Sequence, residues 1–149
     1  MRENTGKVVL VGAGPGDTGL LTLKGEKYIK QADCLVYDRL SSPEFLSMAK
    51  AGCELIYVGK ENHKHVMNQD AINELLYEKS KYHELVVRLK GGDPYVFGRG
   101  GEEALYLVDR NVEVEVVPGV SSSVAALAAA GIPITHRGIA KGFQVITAH

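Results

Sequence analysis

The run Val8-Val9-Leu10-Val11 passes straight into Gly12-Ala13-Gly14-Pro15-Gly16-Asp17, and a helical pattern follows from Leu23 to Ala32. A short apolar run, a glycine-rich turn and then a helix is the unit from which parallel sheets are assembled. The alternation continues. Strands are expected at Cys34–Tyr37, near Leu55–Val58, and at Leu85–Val87, Val112–Val117 and Phe143–Thr147. Helices are expected after Pro43 and over Asn68–Lys79, Glu102–Val108 and Ser121–Ala130. Within the second of these, Ile72, Leu75, Leu76 and Lys79 fall at i, i+3, i+4 and i+7, a helical stripe. Gly131 and Pro133 mark the end of the last helix. Six strands with intervening helices imply an α/β fold, a mostly parallel sheet flanked by helices.

The chain has 149 residues, enough for one domain with a core, and no repeat or linker interrupts it. Its formal net charge of -1 gives no overall pull toward nucleic acid or an anionic membrane. An anionic substrate must instead be met by locally placed bases. With no run of 18 apolar residues and no basic-then-apolar leader, neither a membrane span nor a signal peptide is expected, and the expected location is cytoplasmic. Cys34 and Cys53 fit neither a zinc-type cluster nor a disulfide framework and read as buried thiols. His63-x-His65 lacks a third ligand, so no metal is expected.

The first glycine loop invites a dinucleotide reading that its details oppose. That fingerprint is Gly-x-Gly-x-x-Gly, with phosphate on free backbone N–H groups. Here the third glycine comes one residue early, Asp17 stands in its place and Pro15 removes a donor. A neutral or zwitterionic nucleoside suits this loop better than a polyanion. A second loop, Arg88-Leu89-Lys90-Gly91-Gly92-Asp93-Pro94, follows a strand and is glycine-rich through Gly98, Gly100 and Gly101. It lies where ligands sit in α/β sheets, with Asp93 offering an acceptor. A third turn, Val117-Pro118-Gly119-Val120-Ser121-Ser122-Ser123, carries serines that either cap the helix or meet a ligand. Asp38-Arg39 and Gly59-Lys60 close the second and third strands, where catalytic residues or surface ion pairs both occur.

Taken in order and spacing, these stretches resemble one family. Val11–Asp17 followed by Leu21-Thr22-Leu23-Lys24-Gly25 is similar to the opening motif of the tetrapyrrole methylases. Ala32-Asp33, Tyr37-Asp38-Arg39-Leu40 and Gly59-Lys60 with His65 and Gln69 resemble the uroporphyrinogen-III branch. So do Val87–Pro94, Val96–Glu103, Pro118–Ser122 and Ala130–Arg137. The resemblance implies the N-terminal domain of a two-domain tetrapyrrole methylase, residues 1–149, with the C-terminal domain absent from this chain. It implies a homodimer that transfers methyl groups from S-adenosylmethionine to two pyrrole carbons of uroporphyrinogen III, giving precorrin-2 and S-adenosylhomocysteine. By the same resemblance Pro15, Gly91, Gly92, Asp93, Val96, Ser121 and Ser122 line the cofactor site. Asp38 and Lys60 take the roles of proton acceptor and donor, and Arg39, Arg99, Glu102 and Arg137 face the tetrapyrrole. The fragment alone is then expected to be inactive. Two rivals are another methylase of the same fold and a non-catalytic nucleotide-binding module. Asp38 and Lys60 speak against the second, since binding alone needs neither.

Overall fold

A computed structural model of the chain describes residues 1, 3–39, 42–60 and 67–148. Strands β1 (Lys7–Gly12), β2 (Cys34–Tyr37), β3 (Glu54–Tyr57), β4 (Leu85–Lys90) and β5 (Val114–Val117) form one sheet. Every pairing is parallel and the order is β3-β2-β4-β1-β5. The helices are α1 (Leu23–Gln31), α2 (Glu44–Ser47), α3 (Gln69–Ser80), α4 (Gly100–Val108) and α5 (Ser122–Ala129).

The period of two along β1 sends neighbouring side chains to opposite faces. Val8 and Leu10 pack with Ile72, Leu76 and Leu107 of α3 and α4. Val9 and Val11 pack with Ile29 of α1 and Phe45 of α2. Burial on both faces explains why β1 and the first half of β4, Leu85–Val87, read as near-continuous apolar runs. Polar side chains fix where helices begin: Thr22 Oγ1 accepts from the Gly25 N–H at 2.9 Å and Asn68 Oδ1 from the Ala71 N–H at 2.8 Å.

The topology places the site. α1 leaves β1 on one face of the sheet, whereas α4 leaves the adjacent β4 on the other. Their diverging departures open a crevice at the carboxyl ends of β1 and β4, the place where such sheets bind ligands.

One expected element does not form. Phe143–Thr147 is not a strand, and Phe143 and Ile146 are 60% and 79% exposed. Its β-forming composition needs a ladder to pair with, and among the described residues it joins none; Val145–Ala148 lie instead along the rim of the main cavity. Leu40, the His63-x-His65 pair and His149 lie outside the described residues.

Candidate active site

Three strand-end loops meet over the crevice, and glycine is what lets them meet. Gly14 and Gly92 exchange backbone hydrogen bonds, the Gly14 N–H to the Gly92 carbonyl at 3.2 Å and the Gly92 N–H to the Gly14 carbonyl at 2.7 Å. A Cβ on Gly12 would stand 2.6 Å from the Gly119 nitrogen, and one on Gly119 would stand 2.1 Å from the Gly92 oxygen. No side chain fits between backbones that close.

Around this junction lies a cavity of about 700 Å³. Pro15 lines it from the first loop; Gly91, Gly92, Asp93 and Val96 from the second; Ser121 and Ser122 from the third. Arg39 and Phe45 close one side and Val145–Ala148 another. A Cβ built on Gly91 meets nothing within 4 Å, so this wall is bare backbone facing open space, a cradle that a ligand can approach closely. Among the described residues, Asp93 and Arg39 are the charged side chains on the lining, one of each sign. That balance suits a zwitterionic nucleoside and disfavours a polyphosphate.

Asp93 has work of its own. Its carboxylate accepts from the Tyr95 N–H at 2.8 Å and the Gly119 N–H at 3.1 Å, stapling the second loop to the third. Ser121 is the N-cap of α5, accepting from the Ser123 N–H at 3.3 Å, while also lining the cavity. For this serine the capping role and the cavity wall coincide.

Beside the main cavity lies a buried ionic network. Arg88 Nη2 forms an ion pair with Asp38 Oδ2 at 2.8 Å, and Arg88 Nε donates to Glu103 Oε1 at 3.1 Å. Lys90 Nζ and Gln69 Nε2 donate to the same Glu103 oxygen at 3.0 and 3.2 Å. Glu103 is fully buried, and among the described residues its Oε2 has no partner. Burial, followed by the charge of Arg88, holds the Lys90 ammonium below the ordinary lysine value. Arg88 and Lys90 alternate with Val87 and Leu89, so both point to the α3–α4 face, where a bare charge is costly. That parity was the available signal, but the partner Glu103 sits on α4, beyond the loop.

The remaining residues singled out above scatter. Lys60 is exposed at the end of β3, its carbonyl accepting from the Tyr57 hydroxyl at 3.2 Å, and it lies outside the cavities that Asp38 lines. Arg99 and Glu102 pair with each other at 3.0 and 2.8 Å on the surface. Arg137 is exposed in the turn between His136 and Ala140. At the opposite, amino ends of the strands, Cys34, Glu54 and His83 place ligand atoms within 4.8 Å of one another. There the Lys79 ammonium already pairs with Glu54, and burial pushes the Cys34 thiol up to about 12.

Residues 7–144 match the family described as Tetrapyrrole (Corrin/Porphyrin) Methylases. The chain belongs to the tetrapyrrole methylases. Among curated proteins, this methylase is 59% identical over 145 residues to uroporphyrinogen-III C-methyltransferase of Methanocaldococcus jannaschii, covering 97% of this chain and 60% of that protein. It is 52% identical to siroheme synthase 2 of Yersinia enterocolitica, covering 99% of this chain and 31% of that one. Among solved structures, uroporphyrin-III C-methyl transferase of Thermus thermophilus complexed with S-adenyl homocysteine superposes with a TM-score of 0.74 at 52% identity, over 92% of this chain and 53% of that chain. Cobalt precorrin-4 methyltransferase, CbiF, superposes with the same TM-score at 33% identity, over 87% of this chain and 52% of that chain. The tetrapyrrole methylase chain thus spans between about a third and three fifths of these relatives' lengths.

Proposed function

We propose that this chain is the N-terminal domain of a two-domain, cytoplasmic, homodimeric uroporphyrinogen-III C-methyltransferase, whose complete form methylates two pyrrole carbons to give precorrin-2. The observation that carries the reading is the main cavity. Three loops contribute the seven expected cofactor residues to its lining, around bare backbone at Gly91 and, among the described residues, with one acid and one base. The relatives' names and the S-adenyl homocysteine held by the Thermus protein support S-adenosylmethionine as the donor.

The bound sulfonium supplies an activated methyl group, so alignment is the protein's main task. Pro15, Val96, Ser121 and Ser122 hold the nucleoside, and the Gly91–Gly92 backbone allows its close approach. Asp38, oriented by Arg88, accepts the proton that the alkylated pyrrole must lose, with Lys60 at the neighbouring strand end as donor. Such acid–base help is worth about 10²–10⁴-fold. Arg39, Arg99 and Arg137 receive substrate carboxylates, with Glu102 orienting Arg99. A later corrin methylation is the second reading, favoured by the likeness to CbiF; the 59% identity to the Methanocaldococcus protein weighs for the first.

The test is transfer of labelled methyl from S-adenosylmethionine to uroporphyrinogen III by the full-length protein and by this chain. We expect label in the tetrapyrrole from the former, and from the latter only weak cofactor binding. A folded full-length protein that transfers no label overturns the substrate. Turnover by this chain alone overturns the divided site.

A further inference from the structure

We propose that Lys90 is an anchor for a carboxylate of the methyl acceptor, which enters a small cavity beside the main one; this rests on the function proposed above. The cavity, about 290 Å³, is lined by Asp38, Gln69, Arg88, Lys90 and Arg99, and it shares Gly91 and Phe97 with the main cavity. A group held in it therefore faces the cofactor wall across one glycine and one ring. Phe97 and Arg99 both adopt left-handed backbone, at φ 49° and 56°. Non-glycine residues carry strain there, and such strain clusters where ligands are clamped.

Lys90 differs from Arg88, each of whose three nitrogens already has a partner, in keeping two donors unused on its one nitrogen. Arg88 is committed: Nε to Glu103, Nη2 to Asp38 and Nη1 to the Leu89 carbonyl at 3.4 Å. Arg99 is exposed and held twice by Glu102. The Lys90 side chain is only 6% exposed, and its ammonium gives one hydrogen bond, to Glu103 at 3.0 Å. An ammonium has three donors. Among the described residues the other two meet no acceptor, and the cavity lies beside them.

The acids nearby do not block an incoming anion. Arg88 and Lys90 together balance Asp38 and Glu103, so an incoming anion meets no net negative charge in this cluster. Burial and the Arg88 charge, which both disfavour the Lys90 ammonium, are countered by a carboxylate arriving beside it. An acceptor ringed by short carboxylic side chains is the class of molecule that offers one here.

The experiment is a fluorescence titration of uroporphyrin III, the stable octacarboxylate, into the full-length protein as wild type, Lys90→Met and Lys90→Arg. S-adenosylhomocysteine binding is measured in parallel. Lys90→Met is expected to weaken uroporphyrin at least 10-fold and leave S-adenosylhomocysteine within 2-fold; Lys90→Arg, keeping the charge, is expected to recover most of the loss. Should Lys90→Met not fold, coproporphyrin III on the wild type decides. Its four fewer carboxylates are expected to cost at least 10-fold, with Lys90→Arg losing less affinity for it than for uroporphyrin. Equal uroporphyrin affinity in wild type and Lys90→Met, or equal loss of both ligands, overturns the anchor while sparing the function. No uroporphyrin binding by the wild type overturns both.

Discussion

Glu103→Gln is the substitution that most directly tests the buried network. Glu103 Oε1 receives Arg88, Lys90 and Gln69 at 3.1, 3.0 and 3.2 Å, with Glu103 fully buried. At an effective dielectric of 20 each ionic contact is worth about 5 kcal/mol of gross attraction. Most of that offsets the desolvation of burying the charges, so the pair's net worth is small. Removing one partner is different, because the desolvation remains while the attraction goes. Glutamine keeps the shape but strands Lys90, and one of its N–H groups points where the carboxylate oxygen already lacks a partner. The expected loss is about 3–5 kcal/mol. Lys90 limits it, since an ammonium already held below its ordinary value can shed its proton. The assay is urea unfolding at pH 7, followed by circular dichroism. Adding Lys90→Met to Glu103→Gln removes the stranded charge, so the double variant should be about 1–3 kcal/mol more stable than the sum of the singles. A loss under about 0.5 kcal/mol for Glu103→Gln, or strict additivity in the cycle, would refute the reasoning.

Three further outcomes are expected. Gly91→Val places its side chain in open cavity space, so the melting temperature should hold while S-adenosylhomocysteine affinity, read by calorimetry, falls at least about 10-fold, or 1.4 kcal/mol. Gly119→Ala puts a methyl 2.1 Å from the Gly92 oxygen and 2.7 Å from the Gly12 Cα, and should cost about 1–3 kcal/mol in urea unfolding; an unchanged midpoint would contradict the packed junction. Glu115 is held at about 2, against 4.5 ordinarily, by hydrogen bonds first from the Lys24 ammonium, then from Lys7 and the Tyr28 hydroxyl. Its folded value lies below its unfolded one, so its contribution is complete above pH 4.5 and is lost as pH falls toward 2. Discounted for solvent screening, Glu115→Gln should cost about 1 kcal/mol at pH 7 and flatten the stability profile between pH 4.5 and 2. A variant whose profile tracks the wild type through that window would remove Glu115 from the account.

The sequence made the central sheet legible because its signals are local. Val8–Val11 and Leu85–Val87 are apolar on both faces, and Thr22 and Asn68 cap their own helices within three residues. The three loops were legible too, since glycines at strand ends mark close approach of backbone. What could not be read is what depends on distant partners. Phe143–Thr147 has strand composition but no described ladder to join. Asp93 looked like a free acceptor because the Gly119 N–H that occupies it lies 26 residues away. Arg88, Lys90 and Glu103 were visible as a motif, yet their meeting requires β4 and α4 to turn toward the same face. Asp38 joins them only because β2 is the neighbour of β4, a fact of topology rather than of local pattern.

The exchange of hydrogen bonds between Gly14 and Gly92 also occupies donors of the kind a phosphate site relies on. Phosphate sites at strand–helix turns work by pointing several unused amides at one spot. Here the Ala13 amide is turned to the Lys90 carbonyl at 2.7 Å, those of Gly14 and Gly92 to each other, and that of Gly119 to Asp93. Pro15 has none to give. The loops that shape the cavity have bonded to one another, and the amides of Ala13, Gly14, Gly92 and Gly119 are spent in holding them together.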